Sequence, residues 1–129
     1  MNCRDKVTGK NYLLWLAAAS LLLLFCLPAP GRAGDVKQGE KIAKTRKLGN
    51  CVACHYLPDV ESPGDIGPNL VEAMAAYGPD DRREVTQWIV DPRKFNEHTI
   101  MPPFGANRIL TDQQIDDVVS YLYTLNKKK

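Results

Sequence analysis

The chain has 129 residues, of which 25% are charged and 44% hydrophobic, and its formal net charge is +2 at pH 7. This length allows one domain and a short additional segment. Nothing in the charge indicates a nucleic-acid partner, because such partners require a clear excess of Lys and Arg. A domain this small buries little apolar surface of its own.

The first 33 residues have the pattern of a secretory signal peptide. Basic residues precede an apolar run over residues 13–27, and Gly31 and Ala33 are small residues at the positions that cleavage requires. We therefore expect residues 1–33 to be removed after Ala33 and residues 34–129 to form an exported, periplasmic domain.

Two alternatives for this segment concern the membrane. An uncleaved anchor is one, although the apolar run is short for a full membrane span. Lipidation of Cys26 is the other, and the bulky Phe25 before it argues against it. Cleavage would remove Cys3 and Cys26 and leave only two cysteines in the mature chain.

The mature chain begins with a predicted helix over Asp35–Leu48. Asp35 is a suitable N-cap, and Gly49 is expected to end the helix. Gly39 in the helix interior indicates that another helix crosses closely, with Tyr121 as its expected neighbour. Lysines form a basic outer stripe that is either solvated or a docking patch: Lys37, Lys41, Lys44 and Lys47.

Residues 51–55 read Cys-Val-Ala-Cys-His, and this C-x-x-C-H pentapeptide is typical of covalent haem c attachment. Residues three and four apart share one face of a helical turn, so both thiols and the imidazole can point at one ligand. Cys51 and Cys54 would become thioethers, and His55 would be the proximal iron ligand.

Two other uses of paired cysteines fit less well. A thioredoxin-like C-x-x-C requires a βαβ pattern, which the chain lacks, and does not require the following His. A structural zinc site requires four ligands, and the mature chain has no second cysteine pair.

A loop rich in Gly and Pro follows, and its residues 66–70 are expected to pass beside the imidazole. Gly67 permits close approach to the ring, and Pro68 stiffens the chain so that a backbone carbonyl can accept the Nδ1 hydrogen of His55. Such a bond would orient the ligand. An ordinary Gly-Pro turn is the alternative.

Two helices are predicted next. The first spans Leu70–Tyr77 and is ended by Gly78. The second begins at Pro79, has acidic residues in its first turn and ends at Asp91-Pro92. Its inner face carries Val85, Trp88 and Ile89.

The sixth iron position is predicted to be filled by Met101. Residues 93–108 show no periodicity, and Pro102 and Pro103 hold Met101 on stiff, extended backbone. His98 is the stronger electronic competitor, and bis-His ligation would lower the reduction potential. Met74 is more naturally a core residue.

A final helix follows the capping-box pattern Thr111-Asp112-Gln113-Gln114. Its apolar stripe contains Ile115, Val118, Val119, Leu122 and Leu125. Because no alternating strand pattern appears, the predicted fold is all-α, with helices packed around one haem.

This order of motifs resembles class I cytochrome c over the whole mature chain. Within that superfamily, residues 49–55, 61–70, 101–105, 109–111 and 115–119 resemble the SoxX family, the small monohaem subunits of SoxAX cytochromes in bacterial sulfur oxidation. The resemblance implies Cys51 and Cys54 as haem anchors, His55 as proximal ligand and Met101 as distal ligand.

The resemblance also implies partners and a role. The expected partner is a SoxA-type haem subunit in a heterodimeric L-cysteine S-thiosulfotransferase, which joins thiosulfate oxidatively to a cysteine of the SoxY carrier. The bond-forming site is expected on SoxA, so this chain would carry no catalytic residue and would pass electrons to a downstream cytochrome.

Two further hypotheses remain from the sequence. The first is a free-standing periplasmic electron shuttle of the same fold. The second is a small haem protein with an open sixth site, which carbon monoxide binding would reveal and a Met-to-iron charge-transfer band would exclude.

Overall fold

The computed structural model describes residues 33–126, so the expected signal peptide lies outside the described residues apart from Ala33. Four α-helices form the described part: α1 (Val36–Lys44), α2 (Leu70–Met74), α3 (Arg82–Val90) and α4 (Asp112–Leu125). Short 3₁₀ turns lie at Cys51–Ala53, Pro79–Asp81 and Pro92–Lys94. Between residues 33 and 126 no residue is in a strand, and the all-α prediction is confirmed.

Helices α1 and α4 make the most extensive contact in the fold. Gly39 is buried where they cross, and a Cβ atom there would collide with the backbone of Asp117 and Val118. The predicted close crossing at Gly39 is therefore confirmed. The nearest atoms belong to the α4 backbone, however, and not to the ring of Tyr121.

The N-terminal end of α1 is fixed at this crossing by two acidic side chains. Asp35 caps α1 by accepting hydrogen bonds from the backbone N–H groups of Lys37 and Gln38. The buried carboxylate of Asp117 accepts a hydrogen bond of 2.7 Å from the N–H of Asp35 and one of 2.9 Å from Gln113. A charged side chain is thus buried in the helix interface because hydrogen bonds compensate for its lost hydration.

Helix α1 ends at Lys44, four residues before the predicted Leu48, and Gly49 does not end it. Thr45 already has extended backbone angles. The carbonyl of Ile42, which residue 46 would use in a longer helix, accepts instead from the N–H of Gly49 at 3.0 Å. The chain can therefore turn toward the pentapeptide without leaving that carbonyl unpaired.

The remaining helices follow the prediction with small differences. Helix α2 ends at Met74 and not at Tyr77, and Pro79–Asp81 form a 3₁₀ turn that leads into α3. Thr111 and Gln114 form the predicted capping box of α4. All five residues of the predicted α4 stripe are buried: Ile115, Val118, Val119, Leu122 and Leu125. None of the helices within residues 33–126 has the length and apolar character needed to cross a membrane.

Candidate haem site

The pentapeptide forms a tight helical turn, as predicted. Cys51–Ala53 is a 3₁₀ helix, and the N–H groups of Cys54 and His55 both donate to the carbonyl of Cys51, at 3.2 and 2.9 Å. Asn50 opens the turn with a left-handed backbone, φ 50°. Asn is one of the few residues other than Gly that adopt this conformation readily. The turn places two cysteines and one histidine within five residues.

The Gly-Pro loop is fastened to the backbone of the pentapeptide. The N–H of Gly64 donates to the carbonyl of Val52 at 2.8 Å, and the N–H of Gly67 donates to that of Cys54 at 2.7 Å. A Cβ atom on Gly64 would collide with the backbone of Ala53. The loop therefore follows the pentapeptide so closely that a side chain at this glycine has no room.

His55 is held by this loop in the way that its sequence predicts. Nδ1 of His55 lies 2.8 Å from the carbonyl oxygen of Pro68. Because a carbonyl oxygen only accepts, Nδ1 carries the hydrogen, and Nε2 of the neutral ring has a free lone pair. A Cβ atom on Gly67 would lie 2.5–2.9 Å from three atoms of the ring. The absence of a side chain at Gly67 thus makes room for the imidazole.

A cavity of about 210 Å³, partly open to solvent, adjoins the pentapeptide. Cys51, His55 and Met101 all line it, although they are up to 50 positions apart in the chain. The other lining residues are almost all apolar: Pro68, Leu70, Ala73, Met74, Tyr77, Val85, Trp88, Ile89, Phe104, Leu110, Val118 and Leu122.

The predicted ligands differ in their placement. Met101 is half-buried and lines the cavity. Cys54 is half-buried on the same turn as Cys51 but is not among the lining residues. His98 does not line the cavity either, and its side chain is 88% exposed. Met74 is buried in the core, as expected, and contributes to the cavity wall.

The wall of the cavity favours neutral groups. Burial raises the pKa of the Cys51 thiol to about 11, so this thiol is uncharged at neutral pH. A thioether is also uncharged, and an apolar wall accommodates it without the cost of burying a thiolate. The residues between 33 and 126 contain no cluster of three or more His, Cys, Asp or Glu side chains of the kind that holds a bare metal ion.

One polar atom at the wall has no partner. Nε1 of Trp88 is buried and makes no hydrogen bond of ordinary geometry, although it lies close enough to the Tyr77 hydroxyl to influence the pKa of that group. The indole ring stacks on Phe95 with centroids 4.3 Å apart. An indole N–H is a donor only, and leaving it buried and unpaired costs about 1–3 kcal/mol. A bound group with an acceptor at its edge, such as a porphyrin carboxylate, would supply the missing partner. Sequence reasoning identified Trp88 as a core residue but not its unpaired donor.

Three observations therefore agree with a haem at this site. The cavity has an apolar wall lined by Cys51, His55 and Met101, one nitrogen of His55 is free to bind iron, and a buried donor lacks a hydrogen bond of ordinary geometry.

Comparisons with known proteins agree with this geometry. The family model for cytochrome c matches residues 36–126. A chain in the crystal structure of SoxXA from P. pantotrophus is similar, with a TM-score of 0.65 and 34% sequence identity over 74% of this chain and 85% of that chain.

A curated protein of Aquifex aeolicus (strain VF5), named as an uncharacterized lipoprotein, is 31% identical over 106 residues. The match covers 70% of this chain and 50% of that protein, so the chain spans about half the length of this relative. The family model covers most of the chain, and the similar solved structure covers about three quarters of it. The chain therefore belongs to the cytochrome c family and is a SoxX-type cytochrome.

Proposed function

We propose that the chain carries one haem c, attached through Cys51 and Cys54, with His55 and Met101 as the axial ligands of its iron. The observation that carries this proposal is the convergence of Cys51, His55 and Met101 on one apolar cavity. When bound, haem c supplies a one-electron redox couple at its iron.

The residues around the cavity would determine what this redox couple can do. The carbonyl of Pro68 fixes the orientation and tautomer of His55, so Nε2 is presented as the ligand atom. The apolar wall would shield the iron from water, and the thioether of Met101 would close the remaining axial position. A haem with both axial positions filled has no site for substrate, which supports electron transfer over catalysis on this chain.

The partners follow from the similarity to SoxXA. The chain would pair with a SoxA-type haem subunit in the periplasm after residues 1–33 are removed. The pair would act as an L-cysteine S-thiosulfotransferase that joins thiosulfate to a cysteine of SoxY, with the new bond formed on SoxA. This chain would accept the released electrons one at a time and deliver them to a downstream cytochrome.

This function is tested by purifying the chain from the exported fraction of its native host. We expect a larger haem protein to copurify, and we expect thiosulfate to reduce the haem of this chain when the carrier protein is present. Omission of the carrier protein is the control and should abolish the reduction. Haem reduction by thiosulfate without the carrier would contradict the proposed role.

The same purification separates the alternatives. A stable haem-containing monomer that no larger haem protein accompanies would identify a free-standing electron shuttle. Carbon monoxide binding to the reduced wild-type protein would instead identify an open sixth site.

A further inference from the structure

The backbone of Met101 is held on its N-terminal side by one side chain. Its N–H donates a hydrogen bond of 3.2 Å to the hydroxyl of Thr99, which is itself half-buried. This arrangement is a Ser/Thr turn, in which a hydroxyl closes the backbone two residues ahead of it. Within the described residues, no other hydrogen bond to this N–H is present.

The C-terminal side of Met101 has a different attachment. Pro102 and Pro103 have no N–H group, so the next backbone donor is Phe104. The N–H groups of Phe104 and Gly105 donate to the carbonyls of Ile89 and Val90 at the end of α3, both at 3.1 Å. The loop is thus anchored firmly after the two prolines, and before them its position depends on the turn at Thr99.

An adjoining turn at Asn96, which leads directly into Thr99, directs His98 away from the cavity. The N–H of His98 donates to Oδ1 of Asn96 at 3.0 Å, and the N–H of Thr99 donates to the carbonyl of Asn96 at 3.2 Å. The imidazole of His98 is 88% exposed and lies 3.4 Å from the carboxylate of Glu97. Two candidate iron ligands only three residues apart therefore lie on different sides of the loop.

We propose that Thr99 is a positioning residue that selects Met101 over His98 as the sixth ligand. Its hydroxyl fixes the turn that presents the thioether to the cavity while the imidazole stays outside. Without this hydrogen bond, the N–H of Met101 loses its partner and the two ligands compete on more equal terms. The inference rests on the proposed ligation by Met101.

The test compares Thr99→Val, which keeps the shape of the side chain but lacks the hydroxyl, with Thr99→Ser, which keeps the hydroxyl. Both substitutions are made in a His98→Ala background, where no internal imidazole can replace Met101, and the holoproteins are titrated with imidazole, a small ligand that then binds only when Met101 leaves the iron. We expect the apparent imidazole affinity to rise about fivefold in Thr99→Val, the effect of losing one hydrogen bond. Thr99→Ser should behave as wild type, and the Met-to-iron charge-transfer band should weaken only in Thr99→Val.

The position of His98 adds a second readout. If Thr99→Val lowers the reduction potential, adding His98→Ala should restore the potential, because the competing imidazole is gone. Equal imidazole affinity and equal band intensity in Thr99→Val and wild type would overturn the inference. Equal losses in Thr99→Val and Thr99→Ser would also overturn it, since the hydroxyl would then be irrelevant.

A Met101→Ala variant distinguishes failure of this inference from failure of the proposed function. If the charge-transfer band persists in Met101→Ala, the ligand assignment itself is wrong and the inference falls with it. If the band is lost in Met101→Ala but is unchanged in Thr99→Val, only the role of Thr99 is refuted. Denaturant unfolding of each variant establishes that the compared proteins are folded.

Discussion

Nδ1 of His55 donates a hydrogen bond of 2.8 Å to the carbonyl of Pro68, 13 residues later in the chain. The glycine before Pro68 leaves room for the imidazole, and its own N–H bonds to the carbonyl of Cys54. One loop therefore positions the ring, fixes its tautomer and pairs a backbone carbonyl of the pentapeptide. The orientation of His55 is therefore set by the backbone of this loop.

This relationship predicts the effect of Gly67→Ala. The new Cβ would lie 2.5–2.9 Å from three ring atoms, so the imidazole must move away from Pro68. We expect the free energy of unfolding of the holoprotein to fall by about 1–3 kcal/mol, as in other overpacked sites. The reduction potential should change as well, because the hydrogen bond tunes the basicity of the ligand.

Gly78→Ala is the matched control for this variant. The nearest atom to a Cβ at Gly78 is 3.6 Å away, an ordinary contact distance. Denaturant titration and potentiometry of both variants provide the comparison. Equal effects of Gly67→Ala and Gly78→Ala would show that the space beside the imidazole is unimportant.

The unpaired indole nitrogen predicts the effect of Trp88→Phe. Phe can retain the stacking on Phe95 and lacks only the N–H donor. If this donor binds a haem carboxylate, its loss should destabilise the holoprotein by about 1.5–3 kcal/mol, the range for hydrogen bonds to charged groups. The reduction potential should fall, because the carboxylate charge is then less compensated and favours ferric iron. Higher stability of the Trp88→Phe holoprotein would contradict this role.

The helix crossing predicts that Gly39→Ala is destabilising, although alanine is the better helix former by about 1 kcal/mol. The added Cβ would collide with the α4 backbone at Asp117, which no rotamer change can relieve. We expect a net loss of about 3 kcal/mol in the free energy of unfolding. Thermal and denaturant unfolding measure the loss, and an unchanged stability would refute the close crossing.

The buried position of Tyr121 predicts how the stability of the fold changes at alkaline pH. Burial, opposed in part by the positive charge of Lys44, raises the pKa of Tyr121 above its ordinary value of 10.0. The unfolded chain therefore ionises first, and stability falls as the pH rises from about 10 through the pKa of the folded state. The hydroxyl is also buried and makes no hydrogen bond of ordinary geometry, although Lys44 lies close enough to interact with it.

Tyr121→Phe removes both the ionisation and the unpaired hydroxyl. We expect unchanged or slightly higher stability at pH 7, and a smaller loss of stability above about pH 10. Tyr56→Phe, at an exposed position, serves as the control. A Tyr121→Phe variant that loses as much stability at alkaline pH as wild type would contradict the assignment.

The sequence predictions that agree with the structure rest on residue types with strong local preferences. The pentapeptide, the capping box at Thr111 and the glycine at position 39 each have a single strong physical reading. Each appears in the structure as expected. The imidazole–carbonyl bond was also predictable, because Gly67-Pro68 offers both space and a stiff acceptor.

Other features depend on particular hydrogen-bond partners that neither periodicity nor composition encodes. Helix α1 ends at Lys44 because the carbonyl of Ile42 finds a partner beyond the helix, which no periodicity encodes. Asp117 lies on the inner face of α4 because its carboxylate receives the N–H of Asp35, 82 residues away. The exposure of His98 is likewise set by the turn at Asn96. The sequence does not reveal this turn, and His98 was therefore a competitor to Met101 as an iron ligand.

The most direct test of the account is extraction of the exported protein with acidified acetone, a solvent that removes haem held only by its axial ligands. We predict that the pigment stays with the polypeptide, and that a Cys51→Ala/Cys54→Ala double variant exported under the same conditions loses it. A colourless wild-type protein, or wild-type pigment that passes into the solvent, would contradict covalent attachment at Cys51 and Cys54.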